Sequence, residues 1–235
     1  MKLPSFACPV RICAAGVSLA MAGGCGLMKP AATEQPSFYS LDGAPANTRP
    51  AIRPVSMLSS TAPTLIVSPP HAAAGFDSKR IVYVREAHKL EYYAHNQWAD
   101  TPARMYAPLI VAAVESTGAF RAVVQTPSAA AGDLRLDTEI IRLQHEFGSL
   151  PSRVRFTLRA YIVDNPTRKV LAWREFDATS PAASEDPYGG VVAANRAVQN
   201  VLEQLAVFCT EAAAIWQPPN VEGLKRAEGR NLFGR

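Results

Sequence analysis

Val154-Arg155-Phe156-Thr157-Leu158-Arg159-Ala160-Tyr161-Ile162-Val163 alternates apolar and polar side chains almost to its end. Successive side chains on a strand point to opposite faces, so this run reads as a β-strand of a sheet packed on one face. Asp164-Asn165-Pro166 then turns the chain into a further strand over 170–179. Upstream, residues 134–147 form a long strand whose apolar phase moves from Leu134, Leu136 and Ile140 to Ile141, Leu143 and Phe147. A one-residue change of phase is the mark of a β-bulge.

Further outward, 64–68 is a short β-branched strand closed by Pro69-Pro70, and 120–125 is another. Residues 80–85 and 90–93 read as a hairpin around Glu86-Ala87-His88-Lys89. Thr101-Pro102 supplies an N-cap and an N1 proline for a helix ending near Thr117 before Gly118, with Pro108 predicting a kink. Its inner face is expected at Met105, Leu109 and Ala112 or Ala113. Asp186-Pro187 opens a last helix whose stripe runs Val191, Ala194, Val198, Val201, Leu202, Leu205, Cys209. Strands joined mainly by hairpins and covered by two amphipathic helices make an α+β two-layer sandwich, with a mostly antiparallel sheet and both helices on one face.

The chain has 235 residues, of which 48% are hydrophobic and 19% charged, enough apolar material for a core. Its formal charge is +4, but Lys2 and Arg11 lie in a leading segment without acids. A charge of +2 from Cys25 onward argues against a nucleic-acid partner.

Four parts follow. Residues 1–24 hold Lys2, Arg11 and an apolar run over 12–22, then Gly23-Gly24 before Cys25. That is the layout of a signal peptide, too short to span a bilayer, which needs roughly 20 apolar residues. Ala22-Gly23-Gly24-Cys25 resembles a bacterial lipobox, in which the cysteine thiol is acylated; an ordinary secretory signal cut nearby is the alternative. Residues 25–63 are a Pro-rich tether, in which only Phe38-Tyr39-Ser40-Leu41 is apolar enough to dock on the domain or on a partner. The α+β domain covers 64–216. Residues 217–235 carry Lys225, Arg226, Arg230 and Arg235 against Glu222 and Glu228 and read as a basic flexible tail.

The sequence holds no GxSxG elbow, phosphate-binding loop, GxGxxG, HExxH or paired-cysteine site, so no catalytic residue, cofactor or metal ligand is assigned. His71, His88, His95 and His145 read as solvated or half-buried imidazoles, and Glu86 and Glu91 as surface charges. Cys209 sits on a helical stripe as a structural thiol. Arg142, Arg155 and Arg159 form either a solvated sheet face or a stripe that binds phosphate or lipid headgroups. Aromatic residues concentrate at Tyr83, Tyr92, Tyr93 and Trp98, and a strand sends Tyr92 and Tyr93 to opposite faces. Tyr92, Tyr93 and Trp98 are therefore the partner-binding candidates, with packing under the first helix as the alternative.

Cys25, Phe38-Tyr39-Ser40-Leu41, Ile81-Val82-Tyr83, Leu90-Glu91-Tyr92-Tyr93 and Trp98-Ala99, followed by a helix, three long strands and a helix, resemble the ABC-type transport auxiliary lipoproteins, the family that includes paraquat-inducible protein C. The resemblance implies a lipoprotein anchored through Cys25 that faces the periplasm of a Gram-negative cell. It would work with an MCE-domain protein and an ABC transporter in moving phospholipid or related lipids, without catalysis of its own. Gly26 after the cysteine is compatible with the outer membrane, and a homo-oligomer is compatible with the sequence. An envelope lipoprotein that assists cell-wall synthase activation or outer-membrane assembly is the alternative reading.

Overall fold

The computed structural model describes residues 35–42 and 62–217. The expected signal peptide, Cys25, most of the tether and the basic tail lie outside the described residues.

Three long strands form the spine of the sheet: β7 (Leu134–Glu146), β8 (Arg153–Asp164) and β9 (Val170–Pro181), paired antiparallel in sequence order. The other strands are β1 (Ser37–Tyr39), β2 (Thr64–Val67), β3 (His71–Ala72), β4 (Arg80–Val84), β5 (Glu91–Trp98) and β6 (Ala122–Gln125). Here the sheet departs from simple hairpins. β2, β3 and β4 each pair parallel to β7, β6 pairs parallel to β2, and only β4–β5 makes another antiparallel hairpin. Among the described residues the result is a mixed nine-stranded sheet, with most of its ladder in the antiparallel β7–β8–β9 spine.

The bulge in β7 falls where the phase change places it. The β7–β8 register shifts between Ile140 and Arg142, leaving Ile141 as the additional residue. Leu134, Leu136 and Ile140 are buried before it and Leu143 after it.

Helix α1 (Pro102–Thr117) ends on Gly118, whose φ of 67° is the left-handed conformation that glycine adopts without a Cβ penalty. The helix continues through Pro108, an exposed position. Its most buried face is one step away from the expected one: Ala103, Tyr106, Ala107, Ile110 and Val114 point inward, whereas Met105, Leu109 and Ala113 are half-buried against the core and Ala112 is exposed. The reason is tertiary, since the Tyr106 ring stands edge-on to Phe156 with centroids 5.4 Å apart.

Helix α2 (Pro187–Ile215) is capped by Asp186, whose carboxylate accepts from the Gly189 N–H at 2.7 Å. Its stripe from Val191 to Cys209 is buried as expected. Phe208 of α2 meets Phe176 of β9 at 5.8 Å, and Phe176 lies opposite Leu158, on the same sheet face as Phe156. Both helices therefore cover one face, in the α+β arrangement read from the sequence, and they pack on each other. No described helix is long and apolar enough to cross a membrane.

The Phe38–Leu41 segment docks on the domain. Ser37–Tyr39 pairs parallel with Asn96–Trp98, and Leu41 is buried. The Asn195 side chain of α2 then donates to the Ser40 carbonyl at 3.1 Å and accepts from the Asp42 N–H at 2.9 Å. One amide thus serves two backbone groups that would otherwise lie open on the outer edge of this segment.

Candidate functional site

Strand β5 places the three aromatic candidates in three environments. Tyr92 lies opposite Val82 and is 36% exposed, with the Arg80 guanidinium 5.0 Å above its ring. A cation over an aromatic face is held by the ring quadrupole. Gly75, Asp77, Ser78, Arg80 and Tyr92 line a depression of about 250 Å³. Gly75 takes a φ of +95°, and a Cβ there would come within 3.1 Å of the half-exposed Leu90, so a glycine keeps this rim low.

Tyr93 points to the opposite face, as strand alternation requires, and packs on Tyr83 at 4.6 Å. Trp98 is a correction to the surface reading. It is 3% exposed and belongs to the core, with its register partner Tyr39 beside it where β1 pairs with the end of β5. Of the three, Tyr92 has the surface position that a contact residue needs.

The sequence reading missed a buried polar chain behind Tyr93. His145 is buried, not solvated or half-buried, because beyond the bulge Leu143 sets the inward phase and His145 shares it. The alternation after Ile141 was the signal that could have found it. Its Nδ1 lies 3.0 Å from the Tyr93 hydroxyl and its Nε2 2.7 Å from Ser152 Oγ. Glu185 accepts the Ser152 N–H at 2.8 Å, and the Ser152 N–H and hydroxyl together hold its carboxyl below the usual range. One proton arrangement satisfies every group: Tyr93 donates to Nδ1, Nε2–H donates to Ser152 Oγ, and Ser152 donates to Glu185. A Ser–His contact of this length suits a nucleophile and its base, but Ser152 is fully buried and its proton is committed to Glu185. The chain instead ties β5, the β7–β8 hairpin and the start of α2 together.

Burial lowers the pKa of His145, opposed by the nearby Glu185 and Asp186 carboxylates, and raises that of Tyr93 well above the ordinary phenol value. A base with a depressed folded pKa binds fewer protons folded than unfolded, so stability rises with pH across that window. The thermal midpoint should therefore fall as the buffer is acidified below about 6.5, the unfolded imidazole value, until the folded pKa is passed. His145→Asn should be less stable at neutral pH yet lose most of that slope. Equal slopes in the two proteins would show that His145 is not the group responsible.

The arginine stripe is a neutralised sheet face. Arg155 pairs with Asp177 at 2.9 Å, and Arg159 pairs with Glu175 at 2.9 Å and approaches Glu139 at 3.9 Å. Arg155 and the Thr157 hydroxyl hold the Asp177 carboxyl below its ordinary range, with the Arg142 charge adding to them. Cys209 is buried and its thiol is pushed up to about 12 by desolvation, as befits a structural residue. His71, His88 and His95 are exposed. Among the described residues no three His, Cys, Asp or Glu side chains gather as metal ligands would.

No curated protein matches the chain. Among solved structures, a Xanthomonas campestris protein of the DUF330 family is 24% identical with a TM-score of 0.59, over 66% of this chain and 87% of its own. An uncharacterized protein is 13% identical with a TM-score of 0.57, over 75% of this chain and 99% of its own. At these identities the likeness shows the fold. The family model of the ABC-type transport auxiliary lipoprotein component matches residues 39–206, from the docked β1 segment into α2. That span holds the whole sheet except the first residues of β1, the Tyr92 surface and the His145 chain, and the chain belongs to the ABC-type transport auxiliary lipoprotein component family.

Proposed function

We propose that the protein is a lipid-anchored, periplasm-facing auxiliary component of an MCE/ABC-type lipid transport system, and that it acts by binding the membrane-spanning MCE-domain partner rather than by catalysis. The family match over 39–206 carries this reading. The anchor is an acylated Cys25, and the outer membrane is the proposed site of attachment. The contact surface is the one built by Leu90, Tyr92 and Arg80, where an exposed ring, a cation and an aliphatic side chain share one rim. Rings and arginines of this kind dominate interface energies.

Affinity capture of the full chain from solubilised membranes should recover an MCE-domain protein with its permease and ATPase. Tyr92→Ala should weaken the complex by about 1–3 kcal/mol with an unchanged thermal midpoint. Recovery of cell-wall synthases or outer-membrane assembly factors instead of MCE and ABC subunits would replace this reading.

A further inference from the structure

The sheet face opposite the helices is divided along its length. One half is laced by the Arg155–Asp177 and Arg159–Glu175 pairs. At the other end the β8–β9 hairpin is apolar, bordered on β7 by the Arg135–Asp137 pair, in register with Val163 and Tyr161. Val170, Leu171 and Trp173 are 56%, 42% and 63% exposed. Val170 lies opposite Val163 and Trp173 opposite Tyr161, while Leu171 is the additional residue where the β8–β9 register shifts. The hairpin turn is fixed rather than loose. Thr167 donates its N–H and its hydroxyl to Asp164, and the Arg168 N–H reaches the Asp164 carbonyl at 2.7 Å. This turn presents Arg168 and Lys169, both exposed and neither ion-paired within the described residues.

The nearby acids are engaged. Glu175 holds Arg159, and the Asp164 carboxyl is held by Thr167 first, with the Trp216 indole and Lys169 close by. Trp216 follows α2 and the exposed Ile215, so the end of α2 meets this hairpin. Just beyond it the sequence supplies Lys225, Arg226, Arg230 and Arg235 against Glu222 and Glu228.

An indole and two aliphatic side chains at a hairpin end, beside two exposed cations and with a basic stretch later in the sequence, have the chemistry of an interfacial membrane contact. The apolar groups enter the headgroup boundary and the cations meet anionic lipid. Two grooves of the domain, beside Tyr92 and between β1 and α2, lie elsewhere. We infer that the β8–β9 hairpin end docks on an anionic phospholipid bilayer through Trp173, Leu171 and Val170, steered by Arg168 and Lys169. This contact uses neither Cys25 nor the residues of the Tyr92 surface.

The test uses the full chain, as the cell processes it, with vesicles of phosphatidylcholine and phosphatidylglycerol whose acyl chains carry bromine as a quencher of tryptophan. In a Trp216→Phe background, which removes the half-buried indole beside the hairpin, tryptophan emission should be quenched, and adding Trp173→Phe should lose most of the quenching, since the remaining Trp98 is buried. Arg168→Gln with Lys169→Gln should also reduce it; about fivefold weaker association per cation removed corresponds to roughly twenty-five-fold for the pair. Phosphatidylcholine alone should give the same reduction. Thermal midpoints within error of the parent confirm that these surface variants fold. Equal quenching in the Trp173→Phe protein, or quenching indifferent to phosphatidylglycerol, would overturn the inference. So would a photo-cross-linker at position 173 that joins a protein rather than lipid in the living cell.

Discussion

Replacing Phe156 with alanine should destabilise the domain by about 3–5 kcal/mol, the range for removing a fully buried ring from a packed core. Phe156 is buried near the start of β8, between Leu143 on β7 and Ala178 on β9, and Tyr106 of α1 stands edge-on to it. Alanine removes the ring from the plane where sheet and helix meet. Small neighbours such as Ala178 cannot fill the space, and Tyr106 loses its aromatic contact. Arg155, one residue earlier, gives the comparison. Its guanidinium grips Asp177 with two hydrogen bonds of 2.9 Å, yet the pair is solvent-facing, so Arg155→Ala should cost about 1 kcal/mol or less. Urea unfolding of both variants measures the difference. A loss below about 1 kcal/mol for Phe156→Ala would mean that the two faces of β8 are assigned the wrong way round.

How much of this was legible in the sequence follows from how local each signal is. β8 declares itself because its inward and outward residues alternate over ten positions, and the β7 bulge because one additional residue inverts such an alternation. The α2 stripe is equally plain, since seven apolar residues fall on one face. The parallel pairing of β2, β3 and β4 with β7 leaves no local trace, because it joins strands separated by dozens of residues and depends on how the connections cross. The phase of α1 was misread for a related reason. Met105 and Leu109 are as apolar as a buried face requires, but the sheet offers a partner to Tyr106, and only the packed structure shows Phe156 beside it.

At the candidate site, the opposite orientations of Tyr92 and Tyr93 could be read from the strand alone. The burial of Trp98 could not, because it depends on β1 returning from the tether to pair with the end of β5. The His145 chain was hidden twice over. Its histidine looked polar, and its partners Tyr93, Ser152 and Glu185 are spread over more than ninety residues of sequence.

Gly190→Ala provides the second large effect, and two rules give it opposite signs. In a helix interior, alanine is more favourable than glycine by about 1 kcal/mol, so propensity alone makes the substitution stabilising. The site decides otherwise. A Cβ on Gly190 would lie 2.5 Å from His145 Nδ1 and 3.0 Å from its Cε1, inside van der Waals contact with the ring. The imidazole has little freedom to retreat, because Tyr93 holds Nδ1, Ser152 holds Nε2 and Phe147 lies 4.2 Å away. Moving the ring breaks at least one hydrogen bond of a buried chain, and leaving a buried polar group unsatisfied costs about 1–3 kcal/mol in itself. Overpacking adds to that, so the net expected change is a loss of about 1–3 kcal/mol in spite of the better propensity. The pH dependence identifies the cause. If the methyl displaces His145, the acid-side slope of the thermal midpoint changes together with the stability, as it does in His145→Asn. A Gly190→Ala protein that is more stable than the parent, with the slope intact, would show that α2 can shift away from the ring and that the glycine does not set their approach.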